Sequence, residues 1–238
     1  MPLQKADAVG ANGRDRPVLP KWGVRSWTCP APRIDTTRIL RVHKYTDPGK
    51  VRPVIREAAA VAVESAARLS LPDARYVVTP IKSLEDGVLT LDNGLQFNCP
   101  AFDDHLRGCT VLLAFVITIG PDLDDTVISL VHDTFEPLDA LFLETAGWLT
   151  IEAATRQLVQ NIKTELGATG WRLSLRLGPG YNYPSSDGNA RVVWDLTEQR
   201  TLFSLFDGQD LPIELMESGA MKPKMSRSGA FGMGPAQP

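Results

Sequence analysis

Arg176-Leu-Gly-Pro-Gly180-Tyr181 joins a fixed positive charge, a stiff bend and an aromatic ring within one short segment. The arginine guanidinium is a planar fork of donors that matches a carboxylate. Gly180 lets a ligand come close to the backbone because no Cβ intervenes, and Pro179 stiffens the bend. Together these residues read as a cradle for a small zwitterion that carries a flat ring. The competing reading is that Arg176 pairs with a carboxylate of the protein and Gly180 merely turns the chain. Glu152 is the next candidate, because it sits in the apolar run Trp148-Leu-Thr-Ile-Glu152-Ala-Ala, where a carboxylate needs a partner or a reason. Glu144 lies two turns earlier on nearly the same helical face and rivals it. A third segment runs Glu217-Ser-Gly-Ala-Met221-Lys-Pro223-Lys-Met-Ser226-Arg-Ser228-Gly229. Its Ser226, Ser228 and Gly229 read as a loop that either donates hydrogen bonds to a ligand or caps backbone groups at a turn.

The Arg176–Tyr181 segment resembles the R-x-x-x-G-Y signature of the activation domain of cobalamin-dependent methionine synthase. The Glu217–Gly229 segment resembles that family's E-S-x-x-M-x-P-x-x-S-x-S-G block. Weaker likenesses accompany these two: Ile34-Asp-Thr-Thr-Arg-Ile-Leu-Arg resembles the opening helix of the family's compact form. Thr118-Ile-Gly-Pro-Asp-Leu123 resembles its post-strand turn, and Gln199-Arg-Thr-Leu-Phe203 its Q-x-x-L-F helix. The segment Asn182–Thr197 departs from the compact form in being longer and more polar.

The resemblance implies an S-adenosylmethionine site. In it Arg176 holds the methionine carboxylate, Pro179, Gly180 and Tyr181 form the turn against the adenosine portion, and Glu152 meets the ammonium. Ser226, Ser228 and Gly229 would face ligand or corrinoid. No catalytic acid, base or nucleophile is implied, because passing a sulfonium methyl to a reduced cobalt needs only positioning. The sequence contains no D-x-H-x-x-G cobalamin motif, so cobalamin would come from a partner chain, a corrinoid-binding methyltransferase such as methionine synthase or a relative. The alternative is a non-enzymatic docking subunit of such a complex that has lost ligand binding. A different S-adenosylmethionine-dependent methyltransferase is disfavoured by the lack of a Gly-rich loop after an early strand.

The elements that must position these residues follow from local signals. Asp35 or Thr36 caps a short helix carrying Ile39, Leu40 and Val42. A longer helix spans Val51–Leu69 with Pro53 in its first turn. Arg75–Leu95 reads as strands with hairpin turns at Asp86-Gly87 and Asn93-Gly94. Cys109–Ile119 is apolar on both faces and reads as a central buried strand, ended by Gly120-Pro121 before a helix through Val131. Pro137 to Leu166 reads as a buried helical region broken near Gly147. Arg172–Leu177 reads as a half-buried strand that delivers Arg176 at its end. Thr197 caps a helix to Phe206, and Leu211–Met216 is a further strand. Helices and strands mix without a βαβ rhythm, which predicts an α+β single domain with a mixed or antiparallel sheet flanked by helices.

Composition narrows the function class. The chain has 238 residues, 43% of them hydrophobic and 22% charged, enough for one domain with a proper core. No apolar run reaches bilayer length and the N-terminus has no apolar signal core, so a cytoplasmic protein without a membrane partner is expected. Cys29, Cys99 and Cys109, with His43, His105 and His132, are scattered without ligand spacing, which predicts no metal site. The net charge of −3 hides an asymmetry, since residues 1–50 carry ten Lys/Arg against four Asp/Glu. Residues 1–32 therefore read as a flexible basic extension, 33–234 as the domain and 235–238 as a tail. Trp22 and Trp27 would pin the extension to the body or, alternatively, to a partner. No basic–aromatic motif recurs, which argues against nucleic acid as a partner.

Overall fold

A computed structural model describes residues 23–167, 170–184 and 191–235. Residues 1–22, including Trp22, the middle of the polar segment at 185–190 and residues 236–238 of the expected tail lie outside the described residues, whereas Pro235 of that tail belongs to a strand.

The sheet is organised around β5 (Val111–Thr118), every residue of which is buried. Its neighbours are β2 (Asp73–Glu85) and β11 (Ser226–Pro235), and the strand order is β4-β3-β2-β5-β11-β6. Here β3 is Val88–Leu91, β4 Gln96–Asn98 and β6 Trp171–Leu173. Every pairing among the described residues is antiparallel. The β2–β3 hairpin turns at Asp86 and Gly87, whose φ angles are 50° and 75°. Two positive φ values suit the right-handed twist of the flanking strands, as the Asp-Gly pair predicts. An edge strand, β1 (Arg25–Thr28), pairs with residues 73–76 of β2 and corrects the expectation of extension there. Its Arg25 ion-pairs with Glu165 at 3.2 Å, and Trp27 packs on the core.

Alternating residues of the central strands face two layers. Val111, Leu113, Phe115 and Ile117 meet a helical layer, whereas Leu112, Ala114 and Val116 meet a layer of short elements and hairpins. The helical layer contains α1 (Thr36–Val42), α2 (Pro53–Leu69), α4 (Asp122–His132) and α5 (Pro137–Gly167). Asp35 caps α1 by accepting from the Thr37 N–H at 2.8 Å, and Pro53 occupies the first turn of α2, both as expected. The helix α5 runs unbroken for 31 residues, so Gly147 does not break it. Gly147 instead marks a close contact: a Cβ there would lie 2.8 Å from Leu123 Cδ2 and 3.2 Å from Met225. The hydroxyls of Thr150 and Thr155 bond back to the carbonyls of Ala146 and Ile151, so their burial leaves no donor orphaned.

On the opposite face lie α3 (Phe102–His105) and α6 (Gln199–Ser204), with the hairpins β7 (Asn182–Pro184)–β8 (Arg191–Val193) and β9 (Glu214–Leu215)–β10 (Met221–Lys222). The turn before α6 is capped by Asp195, which accepts from both the N–H and the hydroxyl of Thr197. The carboxylate of Asp195 is the better acceptor, so Thr197 is a capped residue rather than the cap. The strand expected over Leu211–Met216 shrinks to Glu214–Leu215. Its β-hairpin partner, Met221–Lys222, occupies part of the expected turn, and the long strand β11 takes most of the rest.

Candidate functional site

The geometry around Arg176 begins with a fault in strand pairing. Leu173 pairs with Met233, yet Leu177 pairs with Ala230, so four steps along one strand oppose three along the other. The extra residue is a β-bulge. Ser174 holds it at both ends of its own length. Its N–H donates to the Gly232 carbonyl, and its hydroxyl accepts the Gly232 N–H, both at 2.8 Å. A shift of one residue exchanges the two faces of a strand. Trp171 and Leu173 face the helical layer, and unbroken alternation would send Leu177 there and Arg176 to the opposite face. Instead Leu177 is buried in the opposite layer and Arg176 turns toward α5. The continuous strand expected over Arg172–Leu177 is thus corrected to a short strand, a bulge and a single bridge.

Beyond Leu177 the chain makes a tight turn. Tyr181 N–H donates to the Gly178 carbonyl at 3.3 Å, with Pro179 and Gly180 at the two central positions and a Gly180 φ of 81°. That is the arrangement in which proline suits the first centre and glycine the second. The turn is anchored twice more. Gly180 N–H donates to the Trp194 carbonyl at 2.7 Å, and the buried Tyr183 hydroxyl meets the Gly178 N–H at 2.6 Å. Pro179 is buried, whereas Gly180 and the Tyr181 ring are exposed. The Arg176 guanidinium carbon lies 5.9 Å from the centre of the Tyr181 ring, within cation–π range.

Arg176 and Glu152 border one open cavity of about 500 Å³, with Arg156, Lys163, Leu175 and Phe231. Glu152, Arg156, Val159 and Lys163 form one stripe of α5, set by helical spacing. Phe231 arrives from β11, four residues beyond Arg227 and so on the same strand face. Among the described residues the Arg176 guanidinium has no hydrogen-bond or ion-pair partner. Among the described residues Glu152 is engaged through one oxygen, Oε2, by the nearly buried Arg227. Burial alone would raise the Glu152 carboxyl. The hydrogen bond and charge of Arg227, with the charges of Arg176 and Arg156, outweigh that and hold it below the usual glutamate range. Glu144 is not part of this cavity; it ion-pairs with Lys224 beside a separate, mostly apolar pocket at the start of α4.

Ser226, Ser228 and Gly229 are not in a loop: all three belong to β11, and both serines are buried on the face away from α5. Their hydroxyls are committed internally. Ser226 donates to the Pro223 carbonyl at 2.6 Å, and Ser228 donates to Gln199 Oε1 at 3.2 Å. Gln199 in turn donates to the Gly219 carbonyl at 2.9 Å, tying α6 to the strand. Gly229 is where the Arg176 segment crosses closest: a Cβ there would lie 2.5 Å from the Leu177 carbonyl oxygen. Motif reasoning overlooked Arg156, Lys163 and Phe231 on the cavity wall and Arg227 behind Glu152. Helical spacing from Glu152 could have found the first two, and strand alternation links Arg227 to Phe231.

The chain matches no protein-family model and no curated protein by sequence. A solved structure, the MetH reactivation domain bound to AdoHcy, superposes with a TM-score of 0.68 over 97% of this chain and 84% of that one, at 16% identity. This chain has the MetH reactivation-domain fold. The antiparallel sheet with flanking helices expected from sequence is that fold. At this identity the likeness concerns architecture, so the reactivation-domain fold supplies the frame and the cavity residues of this chain supply the chemistry.

Proposed function

We propose that the chain binds S-adenosylmethionine in the cavity between α5 and the bulged strand, and presents it to a cobalamin-dependent methyltransferase, methionine synthase or a relative, on a separate chain. The observation that carries this reading is Arg176. A half-buried guanidinium, unpaired among the described residues, stands beside an exposed aromatic ring and opposite a carboxylate with one oxygen to spare. Such a fork takes a carboxylate in two parallel hydrogen bonds. Tyr181 offers an aromatic face to a nucleoside, and Glu152 Oε1 accepts from an ammonium. AdoHcy bound to a solved protein of the same fold agrees with this ligand class.

When bound, S-adenosylmethionine supplies an activated methyl group, whose acceptor would be a reduced cobalt held by the partner. The residues of this chain do the holding. Arg176 fixes the amino-acid end, the Gly178–Tyr181 turn presents the Tyr181 ring beside the guanidinium, and the bulge turns Arg176 toward α5. The open cavity favours this reading over a docking subunit that has lost its ligand.

Calorimetric titration with S-adenosylmethionine tests it, wild type beside Arg176→Ala and Arg176→Lys. Each charged hydrogen bond contributes about 1.5–3 kcal/mol, so Arg176→Ala weakens binding at least about ten-fold. Lysine keeps the charge without the fork and restores only part. Absence of binding to the wild type, alone and with a cobalamin-loaded methionine synthase, would sink the proposal.

A further inference from the structure

We infer that this cavity discriminates by charge at the sulfur of its ligand, holding the neutral thioether of S-adenosylhomocysteine more tightly than the sulfonium of S-adenosylmethionine. The inference rests on the reading of the site as a nucleoside amino-acid pocket and concerns which form it retains.

Four cationic side chains surround the cavity: Arg156, Lys163 and Arg176 on its walls, and Arg227 behind Glu152. One carboxylate stands against them, and Arg227 already neutralises it. The local balance is strongly positive, although residues beyond the N-terminal stretch are acidic in total. Arg156, Lys163 and Arg176 have no ion-pair partner among the described residues, and Glu152, the acid on the cavity wall, is already paired with Arg227. The ligand carboxylate and ammonium are the same in both compounds and cancel in the comparison, which leaves the three net positive charges of the protein.

The two compounds differ by one methyl and one fixed positive charge. A unit charge about 8 Å from three net positive charges in a largely aqueous setting is disfavoured about ten-fold at low salt. Screening over a Debye length of about 8 Å reduces this to about three-fold near physiological ionic strength. The salt dependence separates charge from shape, because the extra methyl fills the same volume at any ionic strength. A site of this kind keeps the thioether after methyl transfer, so the product competes with the next donor.

The experiment is titration of the full chain with both compounds at about 20 mM and about 300 mM salt, for wild type, Arg156→Gln/Lys163→Gln and Arg227→Met. The expected result is a preference for S-adenosylhomocysteine that shrinks at high salt. It should shrink again in the Arg156→Gln/Lys163→Gln variant, which alters only exposed side chains and preserves folding. In Arg227→Met, Glu152 is released and the preference falls further or reverses. Equal or tighter binding of S-adenosylmethionine to the wild type at low salt would overturn this inference while leaving the proposed ligand class intact. A thioether preference independent of salt and of both variants would also overturn it, assigning the difference to shape. Binding of neither compound would remove the proposed function and this inference together.

Discussion

Gly229→Ala tests whether backbone proximity, rather than strand pairing alone, holds the Arg176 bulge in place. A Cβ at residue 229 would sit 2.5 Å from the Leu177 carbonyl oxygen and 3.0 Å from Phe115 Cε1. The carbonyl must retreat by about 0.5 Å or more before the contact becomes tolerable. It cannot swing aside freely, because Leu177 and Ala230 exchange two backbone hydrogen bonds of 2.8 Å. Overpacking of this kind costs about 1–3 kcal/mol. The loss of glycine's freedom in the unfolded chain returns about 0.4–1 kcal/mol. The expected net destabilisation is roughly 1–2 kcal/mol, or a fall in melting temperature of about 2–8 °C for a protein of this size. Thermal melts followed by circular dichroism measure it, with Gly23→Ala as control, since no atom lies within 4 Å of a Cβ there. The control should stay within about 0.5 kcal/mol of wild type. An unchanged melting temperature for Gly229→Ala would refute the argument that the close crossing fixes the bulge. If the packing argument holds, ligand affinity should fall in the same variant, because Leu177 carries Arg176 with it.

Two further outcomes probe the walls of the site. Glu152→Gln leaves Arg227 without its counter-charge and should cost about 1 kcal/mol at neutral pH, since the pair is partly open to solvent. Because the Glu152 carboxyl is held below its ordinary 4.5, its contribution is present above that pH and is lost as pH falls through the lowered value. Acid melts should therefore show wild type and Glu152→Gln converging in stability as the pH falls below that lowered value. Tyr183→Phe leaves the buried Gly178 N–H without its partner and should cost about 1–3 kcal/mol. Burial pushes the Tyr183 phenol up to about 12 from 10.0, despite its bond to Gly178. The stability this provides is complete below pH 10 and is lost as pH rises through about 12. Urea titrations from pH 9 to 12 should show wild type losing an increment that Tyr183→Phe does not lose.

Much of the frame was legible residue by residue. Asp35 as a cap, Pro53 in a first turn, Asp86-Gly87 in a hairpin and the doubly apolar run at residues 111–118 each state their conformation through neighbours a few positions away. The turn at Gly178–Tyr181 belongs with them, because proline and glycine at its centres specify the backbone without outside help. Gly147 misled for the same local reason: glycine weakens a helix in isolation, but here the missing Cβ admits Leu123 and Met225, and packing outweighs propensity. Ser226 and Ser228 misled similarly, since polar residues beside glycine look like a loop until Gln199 and the Pro223 carbonyl are found to satisfy them.

The sequence by itself determined that Arg176 stands at the head of a tight turn, that Glu152 rides a buried helix, and that the two belong to an α+β domain. Only the tertiary structure decided that they share a cavity. The direction of Arg176 depends on a one-residue mismatch between residues 173–177 and 230–233, held by Ser174 and Gly232. The charge around Glu152 depends on Arg227, 75 positions away in the chain. Facing and pairing across strands are set by register between distant segments, and register is a property of the assembled sheet that no local stretch of residues encodes.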